Sequence, residues 1–129
     1  MPSATAYARR VTGHIHIRDL SLRTIIGVHE HERDRRQEVL LTLDIEADLD
    51  AAAASDDLDD AVNYGSLARQ ITGHVEESRY RLVERLAASV ADLVLEQFPP
   101  VRAVTVTVDK PGALAFARSV AVTLRRERA

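Results

Sequence analysis

Residues 39–46, VLLTLDIE, decide the fold class. Val39, Leu41, Leu43 and Ile45 fall on one face of an extended chain, and Thr42, Asp44 and Glu46 fall on the other. A period of two marks a strand with one buried and one wet face, the pattern of antiparallel sheets. Upstream, His14 to Ile26 also reads as extended, with Ile15, Ile17, Leu20, Leu22 and Ile25 as its apolar positions. The polar Arg18-Asp19 interrupts that alternation and predicts a bulge. Gly27 ends the strand, and the charged loop HEHERDRRQ (29–37) follows.

Downstream the period changes. Asp48 to Asp60 is rich in alanine and acid, a connector with room for a helical turn. Leu67, Ile71 and Val75 then recur every four residues and predict a helix over Gly65 to Glu77. A second helix is expected from about Leu82, with Val83, Leu86, Ala87, Val90, Val94 and Phe98 as its buried stripe, until Pro99-Pro100 stops it. Val104, Val106 and Val108 alternate with threonines as a third strand, Pro111-Gly112 marks a loop, and Val120, Val122 and Leu124 form a fourth strand. The order is ββααββ. Without βαβ alternation this is an α+β fold, a four-stranded antiparallel sheet with two helices on one face. Such a sheet has two free edges, which proteins blunt or pair; several copies joining edges into a barrel is one solution.

The bulk properties narrow the function. A chain of 129 residues fits one domain. We expect residues 1–12 to be a flexible N-terminal segment and 13–129 the domain. With no cysteine, disulfides, thiolate nucleophiles and Cys-ligated metals are excluded. No apolar run reaches membrane-spanning length, and the N-terminus lacks the apolar core of a secretory signal, so a soluble, cytoplasmic protein is expected. A net charge of −3 and 4% aromatic residues speak against general nucleic-acid binding and base stacking.

Lys110 is the only lysine among 17 basic residues. Arginine stays charged in any protein setting, whereas an amine can be tuned to exchange a proton near neutral pH. Its neighbour Asp109 would hold it charged, except that adjacent residues on a strand point to opposite faces. His14-x-His16 and His29-x-His31 have spacings that suit zinc. The first pair starts at a chain end, however, and the second lies in the charged loop, so no metal is expected.

Four segments in order, IGVHEHER (26–33), VNYGSLA (62–68), YRLVERLA (80–87) and DKPGAL (109–114), resemble the dihydroneopterin aldolase and dihydroneopterin triphosphate epimerase family. The resemblance runs from about Ile15 to Leu124. It implies the tunnelling fold (T-fold), in which four subunits close a barrel and two rings stack as an octamer, with a pterin site at subunit interfaces and no cofactor or metal. Carried over by motif, the catalytic residues are Lys110, Tyr64 and Glu32, and the substrate-binding residues are Glu84, Val83 and Asn63. Glu84 would grip the pterin's adjacent N–H and NH₂ with two carboxylate oxygens. As a bare helix residue it would instead pair with Arg81 or Arg85. Glu30 is a rival to Glu32, two residues earlier.

Within the family, KPGAL resembles the aldolases, while LRTIIGVHEHERDRRQ and LAFARSVAVTL resemble the epimerase branch. Arg33, Arg35, Arg36 and Arg118 could hold a triphosphate tail or serve as surface charge. The expectation is a metal-independent aldolase. The alternatives are a 2′-epimerase and a non-catalytic pterin-binding module.

Overall fold

The computed structural model describes residues 13–129; the segment expected to be flexible, 1–12, lies outside them. Strand β1 (Gly13–Thr24) pairs antiparallel with β2 (Gln37–Ala47). A short helix α1 (Asp50–Ser55) follows, then α2 (Tyr64–Glu77) and α3 (Val83–Gln97), and the chain returns as β3 (Val101–Pro111) and β4 (Ser119–Glu127). The sheet order is β1-β2-β3-β4 with every pair antiparallel. No helix among the described residues is long and apolar enough to cross a membrane.

The alternation seen in the sequence becomes the core. Val39, Leu41, Leu43 and Ile45 of β2 and Val104, Val106 and Val108 of β3 are fully buried. They meet Leu67, Ile71 and Val75 of α2 and Leu86, Ala87, Val90 and Val94 of α3. Each such side chain contributes about 1.5–3 kcal/mol through the apolar surface it removes from water. Helix α2 lies over β1, and α3 over β3 and β4. The other face of the sheet is polar: His14 Nδ1 lies 2.8 Å from Asp44 Oδ1, and Thr107 bonds Thr123 at 2.8 Å.

The predicted bulge falls where the sequence breaks. The β1–β2 register shifts between Ile17 and Leu20, and Asp19 takes a left-handed φ of 55°. Its N–H donates to Thr42 Oγ1 at 3.1 Å. The extra residue lets Ile15 and Ile17 before the bulge, and Leu20 and Leu22 after it, all pack on the core.

Both C-terminal strands outrun the sequence reading. Pro111 still pairs with Ser119, so the turn proper starts at Gly112, whose φ is 75°. Lys110 is therefore a strand residue. Strand β4 continues through the terminal arginines because they have partners. Arg125 bonds Glu46 and Glu127, and just past the strand Arg128 donates to the carbonyls of Val101 and Leu95.

Leu43 sits between Ile17 and Val106 at the centre of the sheet. Leu43→Ala should cost about 2–5 kcal/mol in urea unfolding. A loss near zero would show that the core is not centred there.

Candidate active site

One end of the sheet collects the chemistry. The C-termini of β1 and β3 and the N-termini of β2 and β4 lie at that end, because Thr24 pairs with Gln37 and Pro111 with Ser119. The α2–α3 connector is fastened there too. Buried Thr24 donates from Oγ1 to the Val75 carbonyl at 2.6 Å, and Gly27 N–H donates to the Tyr80 carbonyl at 3.3 Å.

Alternation along β3 turns Lys110 to the same face as Val104, Val106 and Val108, so its amine points toward the helix side. It is 8% exposed. A lone buried ammonium would be costly, and Glu32, also 8% exposed, meets it: Nζ lies 2.6 Å from Oε2. The carboxylate takes two further bonds, from Gln37 Nε2 at 3.0 Å and from the His29 backbone amide at 3.1 Å. Burial pushes the Glu32 carboxyl up. The bonds from Lys110, Gln37 and His29, with the lysine's charge, outweigh that and hold it at about 2. Glu30, the rival, is exposed and makes no hydrogen bond through its side chain among the described residues. Asp109 faces the other side of the sheet, as strand geometry required, and its Oδ1 is buried without a hydrogen-bond partner among the described residues.

The loop is shaped around this pair. Gly27 has a φ of +133°, and a Cβ there would lie 2.2–2.4 Å from the Glu32 carboxylate atoms. Only glycine allows both the backbone angle and the close approach. Arg33, one of the candidate anion-binding arginines, is spent on carbonyls: it donates to Gly27 at 2.8 Å, to Tyr80 at 3.0 Å and to Arg79. Arg79 returns a bond to the Arg33 carbonyl at 2.8 Å. Gln37 also reaches the Ile26 carbonyl at 2.8 Å. The sequence reading missed Gln37 and the structural role of Arg33, because nothing in a polar loop signals which carbonyls need donors.

The remaining candidates divide between two ends of the subunit. Val83 and Glu84 open α3 at the Lys110 end. Val83 is half-buried against the core, and Glu84 is exposed and forms no ion pair with Arg81 or Arg85. Arg85 lies over the Tyr80 ring at 5.3 Å instead. The N-cap Leu82 supplies no side-chain bond to the first amides of α3. Asn63 and Tyr64 open α2. Asn63 caps it through Oδ1 to the Ser66 amide at 3.0 Å, and Tyr64 is 65% exposed. The C-terminus of α2 is the end tied to Thr24. A helix of 14 residues spans about 20 Å, so Tyr64 lies far from Lys110 within one chain. Of the histidine pairs, His14 is bonded to Asp44, and His29 and His31 stack at 5.7 Å. No group of three potential ligands among the described residues is arranged for a metal.

Comparison with known proteins places the chain in a family. The dihydroneopterin aldolase family profile matches residues 15–125. The dihydroneopterin triphosphate 2′-epimerase of Pseudomonas aeruginosa is 44% identical over 114 residues, 88% of this chain and 92% of that one. The dihydroneopterin aldolase of Escherichia coli is 39% identical over 114 residues, 87% and 91% of the two chains. A crystal structure of the E. coli aldolase in complex with neopterin superposes with a TM-score of 0.84 at 37% identity, covering 88% of this chain and 98% of that one. These matches define an enzyme of the aldehyde-lyase and epimerase kind. The chain belongs to the dihydroneopterin aldolase family, as the four sequence segments implied.

The acidity of Glu32 sets a pH dependence. Its folded pKa lies below the unfolded value, so its stabilisation is complete above about pH 4.5 and is lost as pH falls toward 2. In Glu32→Gln this acid-sensitive part of the stability curve should vanish. Identical acid unfolding profiles for the two proteins would remove the ion pair from the account.

Proposed function

We propose that the protein is a cytoplasmic enzyme of folate biosynthesis. It cleaves the C1′–C2′ bond of 7,8-dihydroneopterin, yielding 6-hydroxymethyl-7,8-dihydropterin and glycolaldehyde. The observation that carries this reading is the buried Lys110–Glu32 pair, 2.6 Å apart, at the end of the subunit where Glu84 stands unpaired. Glu84 takes the ring by its N–H and NH₂ edge through two parallel bonds, beside the first backbone amides of α3. A ring lacking that edge leaves the carboxylate unpaired and is rejected.

The pair then works as one acid–base unit. Glu32 fixes the amine and balances its charge. Once the ammonium has passed a proton to solvent, the neutral Lys110 amine, directly or through a water, takes the proton of the 2′-hydroxyl. As the oxygen forms a carbonyl, the C1′–C2′ electrons move into the C6=N5 imine of the dihydropterin, giving an enamine, and glycolaldehyde departs. A proton delivered to C1′ completes the product. The substrate supplies its own electron sink, so the reading assigns no cofactor. Tyr64 serves the proton transfers from a second copy, because within one chain it stands about a helix length from Lys110. Such a site requires an oligomer, and the edges of β1 and β4, unpaired among the described residues, support a closed ring of subunits built on the tunnelling fold. The domain is taken as 13–129.

A second reading has its own support in the 44% identity to an epimerase. If the released aldehyde stays, turns over and adds back, the 2′ centre inverts. The first half of the reaction is common to both readings.

The test is product analysis. Given 7,8-dihydroneopterin and no added metal, the protein should release glycolaldehyde. The 2′-epimer with little aldehyde would install the epimerase instead, and binding without turnover would leave a pterin-binding module. Lys110→Arg keeps the charge but not the exchangeable amine. It should retain pterin binding and lose turnover by about 10²–10⁴-fold. Turnover like that of the wild type would take Lys110 out of the mechanism.

A further inference from the structure

The buried stripes of the two central strands both end in polar residues. On β3 the position after Val104, Val106 and Val108 is Lys110. On β2 the alternation that buries Val39, Leu41, Leu43 and Ile45 puts Gln37 first on the same face. Gln37 pairs with Thr24 at the end of the β1–β2 ladder, so the sheet fixes its backbone. Its Nε2 donates to the Ile26 carbonyl at 2.8 Å and to Glu32 Oε2 at 3.0 Å. Turned over, the amide would set its oxygen against a carbonyl and a carboxylate, so the two acceptors fix its orientation.

Oε2 is the oxygen that also meets Lys110, at 2.6 Å. Oε1 takes the His29 backbone amide at 3.1 Å. Beyond the lysine, the carboxylate is therefore held at both oxygens by groups that carry no charge. That matters when Lys110 is neutral, the state in which it accepts a proton. The attraction between two full charges is then gone, and a single N–H···O bond joins the pair. A buried carboxylate held so weakly turns toward other donors. The His29 amide alone would let it swing about Oε1. With Gln37 in place, Oε2 stays put, keeps one amine hydrogen and leaves the nitrogen lone pair directed away from Glu32.

We propose that Gln37 is a positioning residue for proton transfer at Lys110 and acts through Glu32. It keeps Oε2 in place during the part of the cycle in which the amine carries no charge. The inference rests on the proton-transfer reading above, which the aldolase and the epimerase share, and it adds the residue that keeps the exchanger aligned.

The experiment measures kcat, KM and calorimetric binding with 7,8-dihydroneopterin on the assembled wild type, Gln37→Met, Glu32→Gln and the double variant. Methionine fills the same space without donors. Gln37→Met should lower kcat about tenfold to hundredfold, the loss of one bond to a charged group, and leave KM and affinity nearly unchanged. In the Glu32→Gln background the same substitution should lower kcat little further, because the group it acts through is gone. Losses that multiply in the double variant would make Gln37 a brace of the Ile26 loop alone and overturn the proposal. So would a loss confined to KM. Gln37→Asn keeps an amide in the loop but is one carbon too short to bridge both acceptors. It should show the same fall in kcat, and it decides the matter if Gln37→Met does not assemble. Wild-type kcat in either assembled variant overturns the proposal and leaves the proton-transfer reading intact. A wild type that forms neither glycolaldehyde nor the 2′-epimer overturns both.

Discussion

The buried contact between Lys110 and Glu32 is the constraint around which one end of the molecule is built. Strand alternation leaves no choice about where the lysine points. Val104, Val106 and Val108 face the helices, and the next position on that face is Lys110. A cation there must be met by a fixed anion, since removing one member of a buried pair costs about 3–5 kcal/mol. The carboxylate comes from a residue 78 positions away in sequence. It is delivered by a loop with one shape, set by the left-handed Gly27, the amide of His29 and the side chain of Gln37. A weaker design would leave the amine on a flexible arm in water, where it would be an ordinary surface charge.

On the proposed reading, the same contact would serve both reactions named among the relatives. An amine held by a carboxylate makes a proton exchanger whose position is fixed but whose task is generic. Opening a carbon–carbon bond beside an imine needs little more than that.

Much of the fold was legible because it follows from periodicity. The alternation of β2, the four-residue repeat of α2 and the stripe of α3 each map onto buried side chains. The Arg18-Asp19 break became a bulge because a polar pair cannot occupy core positions without shifting the register. The ends of β3 and β4 were not legible, since their last residues are held by cross-strand and carbonyl bonds that leave no local pattern. The candidate site was named by motif, and of Glu32 and Glu30 it is Glu32 that meets Lys110. Its division between two ends of the subunit was not legible. Asn63-Tyr64 and Val83-Glu84 both open helices, and only the path of α2 across the sheet reveals that the two helices start at opposite ends. Arg33 shows the limit most plainly. From sequence it was one cation among several, and only the positions of three carbonyls distinguish a brace from a ligand.

That brace has a consequence for how a ligand is admitted. Arg33 and Arg79 tie the loop after β1 to the α2–α3 connector by bonds running in both directions, and Thr24 rivets the adjoining strand end to the last turn of α2. The Glu32 side of the cleft is thus set before anything arrives, and an incoming molecule loses no affinity to freezing it. A ligand entering here meets a wall already standing, not a swinging flap.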